Sequence, residues 1–137
     1  MTYTKNSAGY EKLLVYQLSV VIYDLTVLFC ETYMSYKSNK SYRTYDQMVQ
    51  AARSGKQNIV EGSLEKSVES NIKLTGVARA SFGELLEDYK DFLRIKQLSM
   101  WEKDDPRILE IRRKQDMTDK TGRPKTSYES YRSYLTN

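Results

Sequence analysis

Between Gln47 and Gly62 the small or apolar residues Met48, Ala51, Ala52, Gly55, Ile59 and Gly62 recur every three or four positions, the spacing of one helical face. Most of that face is Ala or Gly, so another helix can approach it backbone against backbone. Gly in mid-helix is about 1 kcal/mol worse than Ala, and packing must offset that loss. The stretch is therefore expected to be the central, tightly packed helix of a bundle. It contains no catalytic constellation.

Around it the chain reads as helices. From Tyr10 to about Tyr36 the residues Leu14, Leu18, Val21, Ile22, Leu25, Leu28 and Phe29 form a 3.6-residue stripe, widened by Val20. Ser38 to Ser41 is the expected first connection. Thr44 with Gln47 resembles a capping box, Ser41 being an alternative cap, and predicts a second helix from about Thr44 to Gly62. Gly62 suits a left-handed helix end, and Asn58 is placed to satisfy a backbone group there. A short polar linker, Ser63 to Glu69, makes the second and third helices antiparallel neighbours.

The third helix is expected from Ser67 or Ser70 to about Gln97. Its buried face is predicted to hold Ile72, Val77, Ala78, Phe82, Leu85, Leu86, Tyr89, Phe92 and Leu93, with Gly76, Ala80 and Gly83 at the crossing with the second helix. Glu84, Glu87, Asp88 and Asp91 form an acidic strip, read as a solvated face. Trp101 is expected to fold back over the bundle end. Asp105 followed by Pro106 predicts a helix start, cap then first position, with the helix running to about Met117. Residues 118–126 are a polar loop, and Tyr128, Tyr131 and Tyr134 recur every third position beyond it.

The expected fold is thus all-α: an antiparallel up-down bundle of three long helices, with short C-terminal pieces in place of a full fourth. It is one domain over 1–137, with a core at 10–101 and an appendage at 102–137. Without a continuous fourth helix, an apolar groove along the first and third helices is left open, a surface suited to self-association. The C-terminal tyrosines are candidates to dock on a bundle face.

Composition narrows the chemistry. There is no histidine, and the one cysteine, Cys30, sits beside the apolar stripe, where a small buried hydrophobe is expected. A catalytic thiol lacks its usual imidazole base, and Glu-x-x-His metal sites are excluded. The chain has no phosphate-binding Gly loop either. No enzyme activity, metal or cofactor is therefore expected. One cysteine, no 18-residue apolar run and no secretory start point to the cytoplasm and to no membrane partner. The net charge of +4 is spread along the chain: +1 over 1–40, +1 over 41–66, zero over 67–103 and +2 over 104–137. That excess is compatible with nucleic-acid binding without being a strong basic footprint.

The motif Gln47, Ala51, Ala52, Ser54, Asn58, Ile59, Glu61, Gly62 resembles that of the four-helix-bundle proteins encoded by intervening sequences in 23S ribosomal RNA genes. It equally resembles their relatives, the accessory proteins of diversity-generating retroelements. Gln50, Gly55 and Val60 depart from that pattern. Val77 to Glu87 resembles the family's third-helix block, so the likeness covers about residues 10 to 97. The longer subgroup has an apolar last helix that this chain lacks. The resemblance implies a non-enzymatic adaptor, a homo-oligomer (a pentamer), engaging RNA and a reverse transcriptase. Arg43, Arg53, Lys56, Lys73, Arg79, Arg94 and Lys96 are the candidate phosphate contacts, Arg53 being paired with Lys56 and Lys73 with Arg79 by helical spacing. The alternative is a protein-binding scaffold that uses its tyrosine-rich faces and the open groove. A larger basic surface would favour the first reading, a larger apolar groove the second.

Overall fold

The computed structural model describes residues 9–34 and 39–116, the side chains of 39–42 and 114–116 excepted. A 3-10 turn, Gly9–Lys12, leads into α1 (Leu14–Tyr33), followed by α2 (Asn39–Leu64), α3 (Val68–Ile95) and the short α4 (Pro106–Asp116). The described residues are all-helical, with no strand. The tyrosines at 128, 131 and 134 and the loop at 118–126 lie outside them.

The small face of α2 is where the helices meet. Met48, Ala51, Ala52 and Ile59 are buried, and Met48 and Ala52 are fully so. Together with Phe29, Cys30 and Met34 of the α1 end and Leu85 of α3 they form the core. At Gly55 the approach is extreme: a Cβ there would lie 2.5 Å from Phe82 Cζ, so the ring occupies the space of the missing side chain. Gly62 sits over Leu74, Thr75 and the Asn71 carbonyl at 3.4–3.5 Å. Going forward along α2 from Gly55 to Gly62 means going backward along α3 from Phe82 to Leu74.

Because α2 comes so near, α1 must also present small groups. Ser19, Thr26 and Cys30 share one face by spacing and are almost completely buried. The two hydroxyls are satisfied, Ser19 donating to the Tyr16 carbonyl at 2.6 Å and Thr26 bonding Tyr89 Oη at 2.8 Å. The bulky stripe is only partly inside. Leu14 and Ile22 are exposed and Leu18, Val21 and Leu25 half-buried, while Leu28 and Phe29 of the same stripe are buried. Where α1 meets α3, aromatic rings span the gap: Phe29 packs edge-on against Tyr89 and Phe92, each with centroids 4.8 Å apart.

Several other expectations are corrected. In α3, Ala78 and Leu85 are buried as expected, but Ile72, Val77 and Leu86 are exposed, at 67%, 43% and 51%. Gly76, Ala80 and Gly83 are also exposed, and a Cβ on either glycine would meet nothing within 4 Å. The glycines that matter for the crossing are those of α2, so α3 can use full-sized residues. Helix α2 starts at Asn39, leaving Thr44 inside it instead of at a cap, and ends at Leu64. Gly62 is accordingly not a left-handed terminus; its lack of a side chain serves the contact with α3. α1 ends at Tyr33, short of Tyr36. By length and composition α1 is also apolar enough to cross a membrane, contrary to the sequence reading, and a third of it is buried against the other helices.

The far end of α3 closes in a Schellman motif. Leu98 N–H reaches the Leu93 carbonyl at 2.8 Å and Gln97 N–H the Arg94 carbonyl at 3.1 Å, with Gln97 at φ 57°. Asp105 then caps α4, accepting from Arg107 N–H at 2.9 Å with Pro106 at the first position. The start of α3 is capped by Ser67, one of the two expected positions, which accepts from Ser70 N–H at 3.3 Å.

Two outcomes follow from this packing. Gly55→Leu forces Phe82 out of its place and is expected to destabilise by about 1–3 kcal/mol. Phe82→Ala in the same chain should return part of that loss, so the double-mutant cycle read by thermal denaturation is non-additive; additive losses would mean the two positions do not meet. Gln97→Gly is expected to raise stability by about 1 kcal/mol, because a side chain is disfavoured in the left-handed region. A lowered melting temperature would show that the Gln97 side chain contributes more than its backbone strain.

Candidate functional site

The motif on α2 divides by role. Ala51, Ala52 and Gly62 are packing residues. Ser54 and Asn58 build a polar seam: Asn58 Nδ2 donates to the Ser54 carbonyl at 2.8 Å and Oγ at 3.2 Å, and Ser54 Oγ bonds Ser81 Oγ of α3 at 2.9 Å. Asn58 thus satisfies a carbonyl one turn back in mid-helix, where the sequence had assigned it to the helix end. Each of these groups has a partner, so the seam serves to join α2 to α3. Gln47 and Glu61 are exposed.

Beside the seam, a groove of about 880 Å³ runs between α2 and α3, lined by Asp46, Gln47, Gln50, Glu84, Glu87 and Asp88 among others. Its charge is negative. Burial raises the Asp88 carboxyl above the usual carboxylate range, helped by the neighbouring Asp91 and Glu84 charges. Glu87 pairs with Lys90 at 3.5 Å and, outside the groove, Asp91 with Arg94 at 3.0 Å, both exposed pairs of small energetic weight. Among the described residues no group of three or more His, Cys, Asp or Glu is placed to hold a metal ion.

The seven candidate phosphate contacts do not gather. All are exposed except Lys56, which is half-buried with its ammonium 4.5 Å from the centre of the Tyr23 ring. Lys56 also faces Asp24, whose carboxyl is raised by burial and lowered by that ammonium. Arg53 lies near Lys56 on α2, whereas Arg43 is ten residues, nearly three turns, away. Lys73 and Arg79 are six positions apart on the continuous α3, about 120° around its axis, so the expected pairing of the two fails. Arg94 is taken by Asp91, and Lys96 lies beside Asp88 and Asp91 in a second cleft.

Large apolar side chains are also exposed on α1 and α3. On α3, Val68, Ile72 and Leu86 fall near one line at helical spacing, exposed at 75%, 67% and 51%, with exposed Thr75 and Arg79 between Ile72 and Leu86 on the same line. On α1, Leu14, Val15 and Ile22 are exposed next to half-buried Leu18, Val21 and Leu25. The sequence reading took Ile72 and Leu86 for core.

Buried reactive groups are quiet. Cys30 is fully buried, and burial, with Asp88 and Glu31 nearby, pushes its thiol up to about 11. Burial likewise raises the Tyr89 phenol to about 12, against its hydrogen bond with Thr26. A phenol raised on folding stabilises in full below its ordinary value of 10.0, and that contribution disappears as pH climbs through about 12. Cys30 acts in the same sense. Tyr89→Phe is therefore expected to lose about 1 kcal/mol near neutral pH, the worth of one hydrogen bond, and to show a shallower alkaline decline. Denaturant midpoints across this pH range check it; parallel curves would mean that Tyr89 ionises as freely folded as unfolded.

Compared with protein-family models, with curated proteins and with solved structures, the chain matches none.

Proposed function

We propose that this chain is a non-enzymatic helical adaptor acting through protein–protein contact. In this reading α1–α3 form an antiparallel up-down bundle lacking a full fourth helix, and the apolar side of α1 and α3 is the contact face. The observation that carries the proposal is the exposure of Ile72, Leu86, Leu14 and Ile22 on the two helices that flank α2. Contiguous apolar patches beyond a few hundred Å² are rare on soluble monomers, and a symmetric homo-oligomer is the common way to cover one. The resemblance of the Gln47–Gly62 motif to retroelement accessory and ribosomal intervening-sequence proteins is consistent with such assembly, a pentamer included, and with a cytoplasmic location.

RNA binding is the second reading, supported by the exposed Arg53, Arg79 and Lys73 and by the same resemblance, which also supplies a reverse transcriptase as partner. The negative groove beside the motif disfavours phosphate on that side, so the cations of the other flanks would make the contacts. Such binding would fall steeply with salt.

Multi-angle light scattering of the full chain at micromolar concentration tests the proposal. An assembly larger than the 16.1 kDa chain is expected, and Leu86→Glu should dissociate it with helix content kept, because the side chain is already half exposed. A stable 16.1 kDa species in the unaltered chain would overturn self-assembly through this face. RNA retention at low salt that is lost in Arg79→Glu would favour the second reading.

A further inference from the structure

The connection between α3 and α4 is built at both ends, by the Schellman turn at Gln97 and by the Asp105 cap. Between them Met100 and Trp101, with Leu93 of α3 and Ile108 of α4, form the apolar lining of a cleft of about 420 Å³. That is at the lower end of ligand-sized cavities, about 300–1,000 Å³. It lies apart from the Ile72–Leu86 line, and nothing about it depends on how that face is used.

The charges around the cleft are one-sided. Lys103 and Arg112 line it, both exposed, and neither makes an ion pair among the described residues. Arg107 is a third cation nearby, but its charge is taken: Nε and Nη2 donate to the two oxygens of Asp105 at 2.9 and 2.8 Å. The fork holds the guanidinium 3.8 Å from the centre of the Trp101 ring, which fixes one wall. Among the described residues no carboxylate lines the cleft. Glu102 and Asp104 adjoin Lys103 in sequence, exposed and outside the lining.

We infer that the cleft between α3 and α4 docks a partner peptide with a large apolar side chain flanked by Asp or Glu. The apolar residue enters between Trp101, Met100, Leu93 and Ile108, and its acidic neighbours meet Lys103 and Arg112. Shape and apolar contact supply the burial, and the two unpaired cations select the sign of the flanking charge. A basic peptide is repelled, and an uncharged one gains the pocket without the rim.

Trp101 is the only tryptophan in the chain, so its emission reads the site directly. The probes are a capped synthetic peptide of Glu, Asp and Leu around a central Phe, and the same peptide with Lys at every acidic position. The acidic peptide is expected to shift Trp101 emission saturably below about 1 mM, a weak-encounter affinity, and to do so less as salt rises. The Lys peptide should leave it unmoved. Lys103→Glu with Arg112→Glu should weaken the acidic peptide at least about tenfold and admit the Lys peptide, with circular dichroism unchanged. An equal response to both peptides, a salt-independent response, or full retention in the charge-reversed chain would overturn the inference. So would a Trp101 spectrum that shifts with protein concentration alone, which would assign the cleft to a second copy. Emission already shifted at every dilution and unmoved by either peptide would also overturn it, since the chain's own residues would then fill the cleft.

Discussion

The approach of α2 to its neighbours governs the rest of the structure. Gly55 leaves room for the Phe82 ring, Gly62 for Leu74, and the Ala pair for the α1 end, so two helices can meet on the one small-residue face of α2. Packing that tight leaves little volume for branched side chains at its seams. Ser19, Thr26 and Cys30 therefore face inward on α1, and the large hydrophobes are displaced to the sides. Leu14 and Ile22 are left exposed, while Leu28 and Phe29 at the other end of α1 are buried.

Polar groups caught in the seams are all paired, which keeps this arrangement inexpensive. Thr26 with Tyr89, Ser54 with Ser81, and Asn58 with Ser54 each cross a helix contact or bond the backbone beside one. A buried hydroxyl left alone would lose about 1–3 kcal/mol, so these bonds fix the facing of the helices as well as joining them. The same burial removes reactivity. The Cys30 thiol and the Tyr89 phenol are both held protonated well above neutral pH, chiefly by burial.

Charge is distributed by surface. Carboxylates cluster along the α2–α3 groove, whereas the cations are scattered round the helices and the unpaired ones at the α3–α4 corner stand over an apolar cleft. A chain whose net charge is only +4 can thus show opposite signs at two places. The exposed apolar residues of α1 and α3 and the cleft at the corner differ in the charges around them.

By itself the sequence determined the helical class, the central place of the Gln47–Gly62 stretch, and the ends that rest on local chemistry. Ser67 and Asp105 cap where their hydroxyl and carboxylate predict, because a cap is decided within four residues. The spacing of small residues also marked the α2 face correctly, since Ala and Gly at helical period have few other uses. Tertiary structure alone decided which faces are inside. A bulky periodic stripe signals that some side of α1 is apolar, but the side that meets α2 is chosen by how near the backbones come, and that depends on Gly55, Ala51 and Ala52, distant in sequence. For the same reason Gly76 and Gly83 mimic a contact they do not make, and Leu86 reads as core while lying exposed. The α3–α4 cleft was illegible for another reason: it needs the left-handed turn at Gln97, a residue with no preference for that conformation, held there by the two backbone hydrogen bonds that end α3.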